Sequence, residues 1–385
     1  MLNFQTNNSS NNALSVTLLA ISTLTIMVGA AIAPALAPIS KQLGMSEYSS
    51  LLITTPSLGV VLFAPFAGRL ISRLGGKIAV FWGLIAYGAL GLIGSVIPNI
   101  HLMLLSRFVL GCVTAVVMAG GTSIIAELYS GDARLKMIAK QGMAIELGGV
   151  VFLSIGGILA GMHWQLPFGL YAIAWVFAVM VRIFVPNSGA IQKNEVNPDA
   201  SSLKEVLDLY AVSIASMIVF FAAFITLPHA LAAYGYTETH IGFYLAFTSL
   251  MAVVAAGFMP KLRKDNSASK IFVLAFTCYA LGHLILGLTL IFPGIILAAI
   301  FMGTGFGLTI PLTNFEMIER SSETDRNRNL AYLSSAIFLG QFLSTFLELS
   351  SSSYVLPFIM SSIFSAIIIA AIFMASNNGK LALSA

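Results

Sequence analysis

Two charged residues lie deep inside apolar segments, where a charge is hardest to keep: Glu146 in the run 136–160 and Arg107 in the run 101–126. At about 1.5 Å per helical residue, Glu146 lies about 15 Å beyond Lys136. In a segment that crosses a bilayer this is close to the middle. An ionised carboxylate there costs at least ~2.5 kcal/mol unless it is paired or hydrated. Burial favours the neutral acid, the condition for exchanging a proton near neutral pH. Gly142, Gly149 and Gly157 fall near the same helical face, so another helix or a cavity can come close to Glu146. The chemistry on offer is proton carriage or contact with a substrate cation. The structural alternative is a neutral carboxyl bonded to a neighbouring helix. Arg107 keeps its charge and lies about 9 Å along its helix from His101. It needs a partner or water, and backbone carbonyls of nearby helices are the structural alternative. The first apolar run, 14–38, holds no acid to pair with it.

Asn314 and Gln341 are uncharged amides inside the runs 294–316 and 330–349. They suit polar substrate groups without fixing a charge preference; helix-to-helix hydrogen bonding is the alternative. Gly303, Gly305, Gly307 and Pro311 allow close packing or local bending beside Asn314. His283 reads as a packing histidine, while His229 and Glu348, near helix ends, are expected to reach interfacial water. Cys112 and Cys278 read as small buried hydrophobes. There is no Gly-x-x-x-x-Gly-Lys-Ser/Thr phosphate loop and no His/Cys cluster with metal-ligand spacing. No cofactor, metal or direct use of ATP is therefore expected, and no nucleophile–base pair supports an enzyme.

The elements that position these residues follow from composition. Of 385 residues, 58% are hydrophobic and 9% charged, against about 25% charged in soluble domains. Fifteen acids and nineteen bases cannot cover the surface of a soluble core of this size. In lipid only helices and closed barrels satisfy the backbone, and long continuous apolar runs select helices. Runs of the required length of about 20 residues fall at 14–38, 48–71, 77–97, 101–126, 136–160, 164–185, 206–232, 240–260, 271–291, 294–316, 330–349 and 353–376. The first is too long for a signal-peptide core and reads as an uncleaved helix. The polar stretch 186–205 splits the runs six and six, giving an N-terminal bundle over 1–185, a cytoplasmic linker and a C-terminal bundle over 206–385.

The bases test this count. With the N-terminus inside, Arg69, Arg73, Lys77, Arg134, Lys136, Lys140, Arg182, Lys193, Lys204, Lys261, Arg263, Lys264, Lys270, Arg320, Arg326, Arg328 and Lys380 all fall on the cytoplasmic side, as the positive-inside rule requires. Lys41 falls outside and Arg107 within a span. The net charge of +4 is thus explained by topology rather than by a nucleic-acid partner. A cytoplasmic N-terminus also makes the formal glycosylation match at Asn7-Asn8-Ser9 irrelevant. The loop beginning Gly68-Arg-Leu-Ile-Ser-Arg73 is echoed by Gly257-Phe-Met-Pro-Lys-Leu-Arg263 in the second half. Repeated halves are typical of secondary transporters.

Three motifs resemble the major facilitator superfamily, and within it the twelve-helix drug:proton antiporter branch. Gly68, Leu70, Arg73, Gly75 and Lys77 match the family's Gly-x-Leu-Ala-Asp-Arg-x-Gly-Arg-Lys loop, with Ser72 at the Asp position and Gly76 at the second Arg. Arg107 and Gly111 match its Arg-x-x-x-Gly step. Gly156 and Gly157 match the end of the antiporter motif, where Phe152 and Leu153 replace Gly-Pro. Trp164-Gln165-Leu-Pro167-Phe168 is similar to the family's Trp-Arg-x-x-Phe.

The resemblance implies an all-α integral membrane protein with two pseudo-symmetric six-helix bundles that exports a small organic molecule by alternating access, driven by protons. Glu146 is then the protonation switch and Arg107 its modulator. Asn314 and Gln341 line the substrate cavity. Gly68, Arg73, Gly75, Lys77 and Glu127 form a latch that closes the cytoplasmic side in one state, with Glu316, Arg320 and Arg326 as a counterpart. The expected setting is the plasma membrane, both termini cytoplasmic, working as a monomer on a small-molecule substrate with protons as coupling ion. The alternatives are an importer or facilitator of an organic anion or sugar, and a membrane receptor or scaffold.

Overall fold

The computed structural model describes residues 8–45, 48–187, 206–322, 325–349 and 353–377, and its regular elements are all helical. Among the described residues, twelve helices are long and apolar enough to cross a membrane: Asn12–Gln42, Leu51–Leu74, Gly76–Ile93, Ile100–Leu128, Lys136–Met162, Leu166–Phe184, Leu207–Ala233, Glu238–Asp265, Ala268–Leu288, Phe292–Arg320, Arg328–Leu349 and Val355–Ala375, numbered here as spans 1 to 12. The chain is a multi-pass membrane protein. Several helices outrun their apolar segments. Span 5 lies within a helix that starts at Gly131, span 8 runs to Asp265, and span 10 to Arg320. Backbone hydrogen bonding does not stop where hydropathy does, and long basic side chains reach back to the interface from such extensions. Most of the expected linker, Ser188–Glu205, lies outside the described residues, as do Lys193, Lys204 and Lys380.

Span 1 is not one continuous helix. It runs as α-helix Asn8–Ala30, a 3₁₀ turn Ala33–Ala35 and a second helix Leu36–Gln42. Pro34 has no N–H to donate and its ring clashes with the preceding turn, so the regular ladder breaks there. The backbone so displaced lies against span 5: a Cβ on Gly156 would sit 2.5 Å from the Ala31 carbonyl oxygen.

The two halves repeat one packing plan. Span 2 packs on span 4 as span 8 packs on span 10; 3 packs on 4 and 6 as 9 packs on 10 and 12. Glycines set the closest of these contacts. Gly111 of span 4 lies directly against the backbone of Pro56 in span 2, and Gly303 and Gly307 of span 10 lie against the backbone of Thr248 and Ala252 in span 8. The third helix of each half ties to the first through a tyrosine hydroxyl: Tyr87 donates to the Leu24 carbonyl at 2.8 Å, and Tyr279 shares a hydrogen bond with Ser216 at 2.9 Å. Gly111→Ala is expected to force spans 2 and 4 apart and cost about 1–3 kcal/mol, seen as a lower unfolding temperature in detergent. Gly142→Ala, with nothing within 4 Å of its added methyl, should leave that temperature unchanged or slightly higher.

Candidate functional site

Spans 5 and 8 form a wedge between the halves. At the end of span 5 away from the bases, a Cβ on Gly161 would meet Thr239 Oγ1 at 2.6 Å and one on Gly157 would meet Gly242 Cα at 2.7 Å. Farther along the same face, a Cβ on Gly149 would lie 3.3 Å from Ser249 Oγ, and one on Gly142 would meet nothing within 4 Å. Thr239 also donates a hydrogen bond to the Gly157 carbonyl at 3.3 Å. The pseudo-symmetric pair, spans 2 and 11, is joined at the same end, where the hydroxyls of Thr54 and Thr345 share a hydrogen bond at 2.5 Å and Ser49 donates to Glu348 at 3.3 Å. The halves therefore meet at the end away from the bases and diverge toward the basic end. Glu348, expected at interfacial water, instead belongs to this closure.

Glu146 lies on the wedge-facing side of span 5, eleven residues from Gly157 toward the basic end. At 1.5 Å per residue that is about 16 Å. It is half-buried, and among the described residues its carboxyl group has no hydrogen-bond or ion-pair partner. In the other half, the Tyr279 side chain of span 9 is fully buried. Its hydroxyl is already engaged with Ser216 and offers no neutralising charge. One turn beyond Ser216 on span 7, Phe220 stacks on Phe306 of span 10 with ring centres 4.2 Å apart, flanked by Phe221 and Phe224. Sequence reasoning missed Tyr279 and this aromatic cluster. With 27 phenylalanines in the chain, their spacing alone does not single any out.

Arg107 is turned elsewhere. It is 1% exposed, donates to the Tyr171 hydroxyl at 2.9 Å, and lies 5.0 Å from the Phe168 ring centre and 5.3 Å from that of Tyr171. Tyr171 in turn donates to the Val28 carbonyl of span 1 at 2.8 Å. No ion pair joins Arg107 to Glu146, and among the described residues the buried Arg107 Nη2 has no hydrogen-bond partner. The sequence motif Trp164–Phe168 thus supplies one aromatic face, and Gln165 fixes the same corner by donating to the Ser95 carbonyl at 2.6 Å. Arg107→Ala is expected to cost roughly 2–4 kcal/mol through lost cation–π contacts and a new cavity, and thermal unfolding measures this directly.

The latch residues are not joined in this state. Gly68, Arg73 and Glu127 are exposed, and among the described residues neither Arg73 nor Glu127 makes an ion pair. Gly75 makes the turn between spans 2 and 3 at φ 82°, a conformation other residues rarely adopt. The end of span 4 is capped by Arg134, which donates to the Ala126 and Tyr129 carbonyls. In the second half the expected cluster is present but with different members. Arg263 pairs with Glu316 at 2.7 Å, and Arg320 pairs with Glu316 at 3.1 Å and with Asp208 at 3.0 Å. Arg326 takes no part in these pairs; Arg263, from the repeat of the Gly68 loop, and Asp208 take its place. The cluster ties spans 7, 8 and 10 within one half, so it stiffens that half rather than bridging the two.

Asn314 folds back to donate to the Ile310 carbonyl of its own helix at 2.9 Å and is half-buried. Gln341 is buried beside Gly340, whose backbone packs on Ile214 of span 7. The structure does not bring the two amides into a hydrogen bond. His283 is fully buried, with Nε2 2.9 Å from the Val219 carbonyl, a packing contact between spans 9 and 7.

Comparison with known proteins places this geometry in a class. The family model of the Major Facilitator Superfamily matches residues 18–345, and the chain belongs to that superfamily. It is 28% identical over 144 residues to Multidrug resistance protein 1 of Bacillus subtilis (strain 168), covering 37% of this chain and 36% of the relative. It is 27% identical over 151 residues to Quinolone resistance protein NorA of Staphylococcus aureus (strain Mu50 / ATCC 700699), covering 39% of each. The chain thus aligns with little more than a third of these relatives' length. Among solved structures, the POT family transporter PepTSo matches with TM-score 0.79 at 11% identity over 95% of this chain and 98% of that one. A bacterial homolog to the human lysosomal transporter Spinster, inward-facing and unoccupied, matches with TM-score 0.78 at 14% identity over 97% of this chain and 98% of that one. These likenesses establish the twelve-helix fold in two six-helix bundles.

Proposed function

We propose that this chain exports a small organic molecule, of the hydrophobic cation class, in exchange for protons. The observation that carries this reading is the half-buried Glu146, unpaired among the described residues, on the wall of the wedge between spans 5 and 8. A carboxylate there can hold either a proton or a cation, not both, and that competition is the coupling an antiporter needs. The Phe220–Phe306 stack beside Tyr279 supplies flat apolar contact and cation–π attraction for such a substrate. Kinship with Multidrug resistance protein 1 and NorA supports the same direction.

In this reading the basic end faces the cytoplasm, both termini lie there, and the protein works as a monomer in the plasma membrane. The wedge is then the cytoplasm-open state. The latch of Arg73, Lys77 and Glu127 forms in the opposite state, when the basic end closes, and Ser72 leaves it one negative charge weaker. Asn314 and Gln341 serve the polar rim of the path. Arg107 acts as a positioning residue for spans 1, 4 and 6. An importer of organic anions would need Arg107 in the path, and its enclosed guanidinium argues against that.

The test is reconstitution into proteoliposomes loaded with DNA, with ethidium fluorescence as readout and an imposed pH gradient as the driving force. The expected result is ethidium movement that stops when an ionophore collapses the gradient. Movement that ignores the gradient would remove proton coupling from the account.

A further inference from the structure

A second groove lies outside the wedge, on the outer face of the first half at the basic end. It has a volume of about 730 Å³ and is lined by Leu74, Lys77, Ile78, Phe81, Trp82 and Arg182, among others. Lys77 lies near the start of span 3 and Arg182 near the end of span 6, and both line this groove. Two like charges held together are unfavourable unless an anion joins them. Among the described residues neither makes an ion pair. Apart from the exposed Asn187 at the rim, the rest of the lining is without polar side chains, and its large apolar groups face outward: Trp82 is 61% exposed and Ile78 51%. In a membrane protein that surface meets acyl chains, and an exposed tryptophan beside paired bases marks the headgroup level.

We propose that this groove holds an anionic phospholipid, its phosphodiester between Lys77 and Arg182 and its acyl chain along Ile78, Phe81 and Trp82. Charge complementarity selects an anion, and the apolar wall selects a lipid over a soluble phosphate. The site is independent of the transport reading. It accounts for Lys77 better than the latch does in this state, since the ammonium group shares its groove with Arg182 while Glu127 makes no ion pair among the described residues. A lipid held there bridges spans 3 and 6 at their basic ends.

The test uses the purified full chain in mixed micelles. Phosphatidylglycerol is expected to raise the unfolding temperature by several degrees more than phosphatidylcholine does, and the K77Q/R182Q double variant is expected to lose that difference. Inorganic phosphate at millimolar concentration is expected to leave it unchanged. Should the double variant fail to fold, acyl-brominated lipids read the same site in the unaltered chain: brominated phosphatidylglycerol is expected to quench tryptophan fluorescence more than brominated phosphatidylcholine, with W82F removing the excess. Equal shifts and equal quenching by the two lipids overturn the proposal. A shift reproduced by inorganic phosphate also overturns it, making the groove a soluble-anion site. Retention of the phosphatidylglycerol effect in K77Q/R182Q overturns it too, leaving the linker or another surface as the source.

Discussion

Glu146→Gln is expected to abolish gradient-driven transport, with the initial rate falling at least about 100-fold, while leaving the fold intact. The amide has nearly the volume of the acid, and no ion pair is broken because Glu146 makes none among the described residues. What disappears is the titration. At equal pH on both sides the variant should still exchange labelled substrate for unlabelled if neutral contacts suffice for binding. The sign with pH follows from the same competition. A permanent cation binds the wild type better as pH rises and Glu146 loses its proton, whereas the Gln variant should show a flat profile. Initial-rate fluorimetry and equilibrium binding across pH 5–9 separate the two behaviours. A variant that still concentrates substrate against a gradient would mean that another group carries the proton.

The second large effect is expected at the closed end of the wedge. Gly157 and Gly242 face each other with no room for a side chain: a Cβ on either would lie 2.6–2.7 Å from the other's Cα. Gly157→Leu places four carbons in that contact, and the cost exceeds what side-chain adjustment can absorb, because the obstacle is backbone. The two halves must part there. A closure held by a few hydrogen bonds at Thr54, Ser49 and Thr239 is worth only about 0.5–1.5 kcal/mol per bond, so the variant should populate the opposite state. Transport is expected to fall by more than tenfold while each half stays folded. Spin labels at the ends of spans 5 and 8 should report a longer distance at the Gly157 end. An unchanged distance with normal transport would mean that the contact does not gate the path.

The parts of this protein legible in its sequence are those set by single residues against a uniform background. Twelve apolar runs and the sorting of bases follow directly from the cost of charge in lipid, and Glu146 stands out because nothing around it in sequence is charged. Arg107 stands out equally, but its partner does not. Tyr171 lies 64 residues away, one aromatic among many, and only the packing of span 6 on spans 1, 3 and 5 brings it near. The second-half cluster was half-legible for the same reason. Glu316 and Arg320 are a helical turn apart and visible as a pair, whereas Arg263 and Asp208 come from two other helices. The break at Pro34 was hidden because hydropathy runs straight through it. The wedge lies beyond sequence altogether: Gly142, Gly149 and Gly157 share one face, and which of them touches span 8 depends on the tilt between two rigid halves.

The most direct test of the central claim, that Glu146 exchanges a proton for substrate, is proton release on binding. Tetraphenylphosphonium is a permanent cation and cannot itself titrate. Added to the purified protein in weakly buffered detergent solution with a pH indicator, it should release close to one proton per molecule bound near neutral pH, and none from Glu146→Gln. Binding without proton release in the wild type, or with equal release in the variant, would contradict the account.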